Sequence, residues 1–279
     1  MNHLIKAYIK FFFKAKNEHG VHSPFVFDLV TKCFYDTTNY PEYEVLKKYR
    51  KSLLNNKNTI EVKDFGAGSR VFKSNTREIA AIAKNAGISV ENAELLLRIV
   101  RYFQPEQILE IGTSLGLATS ALASGNSNAK ITTLEGCPNT SNQAQEQFQN
   151  TNPNNNIEFV ISEFSTYLNN FKQQTTNNKQ QIFDLVYFDG NHSKKATLEY
   201  FDLLLPTISN NSVWIFDDIH WSEDMEEAWE EIKNHPQVTV TIDTFQWGIV
   251  FFRKEQVKEH FVINANKNWS SRILEKVKI

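Results

Sequence analysis

Gln107-Ile108-Leu109-Glu110-Ile111-Gly112-Thr113-Ser114-Leu115-Gly116-Leu117-Ala118 runs from an apolar segment through an acid into a turn with two glycines. A short apolar run, a glycine-bearing break and a return to apolar residues predict a buried strand, a tight turn and a helix. Glycine at 112 and 116 lets the backbone turn sharply and leaves room beside it for a ligand. Counted from the acid, the spacing is E-x-G-x-x-x-G. A turn that seats a pyrophosphate on a helix N-terminus uses G-x-G-x-x-G, and a carboxylate at the strand end would repel that group.

The next apolar run, Ile131-Thr132-Thr133-Leu134, ends in Glu135, 25 residues beyond Glu110. One strand–helix–strand unit fits this interval, and in a doubly wound sheet a carboxylate at that place grips a ribose diol. The interval alone would also serve an NAD enzyme. S-adenosylmethionine has no phosphate but carries an ammonium and a sulfonium, which suit an acid at the first strand end. On these residues the chain resembles the class I S-adenosylmethionine-dependent methyltransferases. The resemblance implies a donor site formed by Glu110, Gly112, Thr113, Ser114 and Gly116, by Glu135 and Gly136, and by Asp189. Ser162 and Glu163 stand where related enzymes hydrogen-bond the adenine, and a Glu163 carboxylate can accept from an exocyclic amine. An exposed loop acid would look the same.

Alternating strand and helix signals from Gln107 onward place strands at 107–111, 130–134, 157–161, 183–188 and 212–216. Val238–Asp243 and Gly248–Phe252 are too close together for a parallel crossover and are expected as an antiparallel pair. The expected fold is a Rossmann-like, doubly wound α/β sheet of about seven strands with a C-terminal antiparallel hairpin and an N-terminal helical extension. Its divisions are a helical extension or lid over 1–103, the methyltransferase domain over 104–254 and a helical tail over 255–279. Within the extension, helices are expected from Phe25, after Ser23-Pro24 as cap and first position, and over 43–54, 76–85 and 90–103. Asp64-Phe65-Gly66-Ala67-Gly68-Ser69 imitates the acid-and-glycines theme, but the polar residues before it make a poor central strand. It reads as a loop. The Asn/Gln-rich stretches at 139–156 and 169–181 read as helix surface and solvated loop.

Two more expected strand ends bring acids to one rim: Asp189 in Phe188-Asp189-Gly190-Asn191-His192, and Asp217-Asp218 after Val213-Trp214-Ile215-Phe216. Bare, the three would repel one another and raise at least one pKa, which a hard divalent cation relieves. Here the chain resembles the catechol and caffeoyl-coenzyme A O-methyltransferases, whose Asp and Asp-Asn pair at these places bind Mg²⁺. It carries Asp218 where they carry Asn, as do metal-dependent sugar O-methyltransferases of the macrocin type. The resemblance implies a metal site at Asp189, Asp217 and Asp218. Either residue of the Asp217-Asp218 pair could instead cap the next helix. His192 stands three residues after Asp189, where catechol-type enzymes carry a catalytic lysine. It is the expected general base with Asp189 beside it, and His220 is the second candidate.

The formal net charge is −2 over 279 residues, which gives no electrostatic drive toward nucleic acid. Amino-methylating nucleic-acid enzymes carry an Asn/Asp-Pro-Pro-aromatic loop where this chain has Asp189-Gly190-Asn191-His192. Cys33 and Cys137 lack metal-ligand spacing and are expected as free thiols of a cytoplasmic protein. His19 and His22 have no nearby third ligand. Near the start, Leu4, Ile5, Tyr8, Ile9, Phe12 and Phe13 share a helical face, and Lys6, Lys10 and Lys14 recur every four residues on another. Such a helix covers a core or a homodimer interface more often than it makes a peripheral membrane contact, here by residues 2–15. The expected activity is metal-assisted O-methylation of a hydroxylated small molecule. The alternatives are a non-catalytic donor-binding scaffold and an N-methyltransferase acting on a macromolecule.

Overall fold

A computed structural model describes residues 3–63, 74–151, 156–175 and 182–266. The extension begins with α1 (His3–Lys14) and α2 (Pro24–Leu29), the latter capped by the Ser23 hydroxyl and widening into a π turn over Val30–Phe34. Arg98 braces the end of this wide turn, its guanidinium donating to the oxygens of Cys33 and Phe34 and to the Tyr43 hydroxyl. Next come α3 (Glu42–Leu54), β1 (Thr59–Glu61), β2 (Thr76–Glu78), α4 (Ile79–Asn85) and α5 (Val90–Phe103). The expected helix over 76–85 therefore starts only at Ile79. Its first three residues pair antiparallel with Thr59–Glu61 in a small ribbon apart from the main sheet. The Asp64–Ser69 loop lies outside the described residues.

The main sheet follows in the expected rhythm: β3 (Gln107–Ile111), α6 (Leu117–Gly125), β4 (Lys130–Glu135), α7 (Pro138–Thr151), β5 (Ile157–Ile161), α8 (Phe164–Thr175), β6 (Leu185–Phe188), α9 (Lys194–Leu204), β7 (Val213–Asp217), α10 (Glu223–Asn234), β8 (Val240–Asp243) and β9 (Trp247–Phe251). An eighth strand, β10 (Glu259–Val262), was not expected. It pairs parallel with β8, so this part of the anticipated helical tail is sheet. The strand order is β10-β8-β9-β7-β6-β3-β4-β5, with β9 antiparallel to both its neighbours and every other pairing parallel.

Both faces of this sheet are covered, which is why its strands read as near-continuous apolar runs. Alternate residues Ile108, Ile131, Leu185, Val213, Ile215 and Ile249 pack against α2, α3, α5 and α6. The extension thus shares its core with one face of the sheet. On the other face Leu109, Val186, Phe188, Trp214 and Phe216 meet α9 and α10. Phe188 and Phe216 stack there with ring centroids 4.1 Å apart. The chain reverses direction across the sheet between β3 and β6, and an open α/β sheet binds its ligand in the crevice at such a point.

Candidate active site at the carboxyl rim of the sheet

Gly112 and Gly116 both sit at positive φ, 107° and 77°. A Cβ on Gly112 would overlap the Asp189 carbonyl, and one on Gly116 would meet the Tyr49 hydroxyl and the Phe148 ring. The two glycines are therefore required by the protein's own close packing, a more specific reason than the open space read from the sequence. Gly112 lets the ends of β3 and β6 touch at the crevice. Ser114 between them is also left-handed, at φ 46°, as are Asn191 after β6, Asp218 after β7 and Phe245 between β8 and β9. Left-handed backbone costs roughly 1–3 kcal/mol at a residue with a side chain and collects at functional sites.

Glu135 closes β4 with both oxygens engaged: Oε2 accepts from the Ser114 amide at 2.9 Å and Oε1 from the Cys137 amide at 2.9 Å, across Gly136. The acid thus ties the β3–α6 turn to its own strand. Ser162 follows β5, its amide donating to the Glu135 carbonyl at 3.0 Å, whereas Glu163 is exposed beside the start of α8. Thr113 is buried, its hydroxyl 2.6 Å from that of Thr133.

Glu110 differs most from its expected place. It is fully buried beneath the turn, where Oε2 accepts from the Thr119 and Thr133 hydroxyls at 2.6 Å each, and Oε1 has no partner among the described residues. Burial pushes its carboxyl up to about 8 against the pull of the two hydroxyls. In this state it is a neutral brace for α6 and β4. The Tyr187 hydroxyl, from the residue paired with Glu110 on β6, is likewise buried and without a partner.

Across the crevice the acids crowd. His192 Nε2 lies 3.6 Å from Asp189 Oδ1. The Gln246 amide nitrogen, from the β8–β9 turn, donates to Asp217 at 2.8 Å and Asp218 at 2.7 Å. Burial first, then the charges of Asp189 and Asp218, hold the Asp217 carboxyl well above the usual range. Burial opposes a charge on His192, yet Asp189, with help from Asp218 and Asp217, raises it to about 9. At neutral pH the bare site holds His192 as an imidazolium, not as the free base expected. His220 is a poor substitute. Its two nitrogens face Glu226 at 2.6 Å and Asp243 at 3.0 Å, and its ring stacks on Phe245.

The three aspartates do not form a ready metal centre. Among the described residues no group of three or more His, Cys, Asp or Glu is placed to hold a metal ion, and the Gln246 amide bridges two of the carboxylates. Neither aspartate caps α10, whose N-cap is Ser222. His19 and His22 are exposed, and both cysteines are free and buried. Sequence reasoning missed Thr119, Thr133, Tyr187 and Gln246. Thr133 and Tyr187 were within reach, because two-residue alternation puts them on the face of Glu110. Gln246 carried no signal. A narrow cleft opens beside the Gly112–Gly116 turn, lined by Ile82, Ala86 and Ile88 from the α4–α5 region and by Thr113, Ser114 and Asp189.

Residues 109–219, from β3 through the loop after β7, match a family model described as a methyltransferase domain. This stretch of the chain is similar to a methyltransferase domain. No curated protein matches the sequence. Among solved structures, the methyltransferase PaMTH1 of Podospora anserina, bound to S-adenosylhomocysteine, aligns with a TM-score of 0.58 at 16% identity over 84% of this chain and 97% of its own. An O-methyltransferase of Bacillus cereus in complex with S-adenosylhomocysteine aligns at 0.50 and 20% identity, over 77% and 92%. TomG of Streptomyces achromogenes, an O-methyltransferase of tomaymycin synthesis in complex with S-adenosylmethionine, aligns at 0.50 and 17%, over 61% and 82%. At these identities the likeness is one of fold, and the methyltransferase fold is the one expected.

Proposed function

We propose that this methyltransferase uses S-adenosylmethionine to methylate a hydroxyl oxygen of a small molecule. One observation carries the reading. At the crevice, an acid fixed by two backbone amides (Glu135) faces an acidic rim that holds a histidine (Asp189, His192, Asp217, Asp218). The neighbours bound to S-adenosylmethionine or its product support the same donor. Glu135 keeps lone pairs for the ribose diol after serving the amides of Ser114 and Cys137. The Gly112–Gly116 turn would cradle the donor's amino-acid end above Glu110, whose Oε1 would accept from the ammonium once that positive charge has drawn off its proton, while Ser162 and Glu163 would reach toward the adenine. The α4–α5 region would roof the acceptor.

The acceptor hydroxyl gives its proton to neutral His192 as its oxygen attacks the sulfonium methyl in line. The carbon–sulfur bond breaks, a carbon–oxygen bond forms, the thioether leaves neutral and the proton stays on the imidazole. Since the acids hold His192 protonated up to about pH 9, the reactive form grows toward alkaline pH.

Metal assistance is a second reading, and the raised Asp217 carboxyl favours it, because unrelieved repulsion among acids is what a divalent cation removes. Mg²⁺ held by Asp189, Asp217 and Asp218 would have to displace the Gln246 amide, and would supply positive charge to an acceptor oxygen. Production of S-adenosylhomocysteine from a panel of hydroxylated small molecules, with and without EDTA, tests both readings. Calorimetry with S-adenosylmethionine and NAD tests the donor. Tighter binding of NAD overturns it, and donor binding without turnover on any acceptor leaves a scaffold.

A further inference from the structure

Helix α1 leaves the large apolar side chains Leu4, Ile5, Ile9 and Phe13 at the surface. At 3.6 residues per turn, His3, Ala7 and Phe11 form one stripe, and this is the stripe the fold buries. It docks on the rim, with Phe11 and Tyr8 against the Phe245 ring at 5.5 and 4.9 Å and His3 beside Glu223 and Glu226 of α10. Ile5, Ile9 and Phe13, offset from that stripe by two residues, lie opposite it in solvent, with Leu4 and Tyr8 between. Phe13 is 81% exposed and Ile5 51%. Lys6, Lys10 and Lys14 are all exposed along the remaining flank, and the helix has no acidic residue. The helix thus docks through Ala7 and Phe11 and keeps a second set of large apolar side chains at the surface.

We propose that α1 docks the protein on an anionic lipid surface. A row of large apolar side chains flanked by a row of lysines is the pattern of an interfacial helix, in which the apolar face enters the acyl boundary and the cations meet lipid phosphates. Charge selects this occupant over a second copy of the chain, because an α1–α1 dimer would gather lysines with no acid on the helix to answer them. Among the described residues no helix is long and apolar enough to cross a membrane.

Flotation of the full chain with vesicles tests the assignment. Phosphatidylcholine vesicles containing phosphatidylglycerol should carry the protein at low salt, and pure phosphatidylcholine should carry far less. Replacing Lys6, Lys10 and Lys14 together by Gln should weaken binding roughly 100-fold. Ile9→Asp with Phe13→Glu should abolish it with an unchanged melting temperature, as both residues are exposed. Equal binding to neutral vesicles, or binding untouched by either variant, overturns the proposal. So does a concentration-dependent dimer that Phe13→Glu dissociates in a protein that ignores anionic vesicles.

Discussion

The two halves of the sheet's carboxyl rim treat their acids in opposite ways. On the β4 side, Glu135 is fully answered by the amides of Ser114 and Cys137 and serves as a fixed acceptor. On the β6–β7 side, Asp189, Asp217 and Asp218 crowd round one imidazole and one carboxamide among the described residues, and the crowding appears as a raised Asp217 carboxyl and a raised His192. A satisfied acid binds without changing its charge, whereas crowded acids leave a proton free to move. The first arrangement suits holding a donor and the second suits chemistry on an acceptor.

The largest expected effect tests the crowded half. His192→Ala should lose roughly 10²- to 10⁴-fold in turnover while donor affinity, measured by calorimetry, stays nearly unchanged. In wild type the rate should rise with pH toward about 9, since deprotonation creates the base. Asp218→Asn should move that rise to lower pH, because one of the charges holding the proton is gone. Full activity in His192→Ala would break the comparison, leaving the acidic rim without a proton carrier.

A smaller effect tests the satisfied half. Glu135→Ala should weaken S-adenosylmethionine binding about 10- to 100-fold, from the loss of charge-assisted hydrogen bonds to the ribose and of the tie to Ser114. Glu135→Gln, which keeps an acceptor, should fall between. Equal affinity for all three proteins would remove Glu135 from the donor site.

Much of this rim was legible because strand ends announce themselves. An apolar run closed by an acid marks which residue stands at the carboxyl edge, and Glu135 and Asp217 do close β4 and β7 while Asp189 follows β6. Glu110 follows the same pattern, yet it lies a layer deeper, since whether a strand-end acid faces water depends on what packs over it. Here Thr119 of α6 covers it. Glu259–Val262 was misread because a short strand at a sheet edge has too few residues to show a period. The face of α1 was readable as amphipathic, but its direction was not. Both of its sides carry residues that could be buried, and the contacts with Phe245 and α10 show which one is.

Glu110 also predicts a pH-dependent stability. A carboxyl whose folded pKa lies near 8, above its unfolded value, contributes stability that is fully present below about pH 4.5 and is lost as pH rises through 8. The wild-type melting temperature should therefore drop by several degrees more between pH 5 and 8 than that of Glu110→Gln. Parallel curves for the two proteins would mean that Glu110 is ionised in the fold, and that the satisfied half of the rim has a charged foundation after all.

The smallest expected effect separates the crowded carboxylates from the helix that follows them. Ser222 caps α10, its hydroxyl accepting from the Met225 amide at 3.2 Å, and the Trp221 amide donates to the Asp218 carbonyl in the intervening turn. Ser222→Ala should cost about 1 kcal/mol, a cap's usual worth, seen as a melting temperature lower by roughly 2–4 °C. The pH at which the rate rises should not move. Gln246 reaches Asp217 and Asp218 from the β8–β9 turn, so their spacing is fixed from the hairpin side and not by the α10 cap. A shifted rate profile in Ser222→Ala would show the reverse: the loop geometry that concentrates charge on this half would then depend on the cap, and the left-handed Asp218 would be the link through which the helix sets the proton affinity of His192.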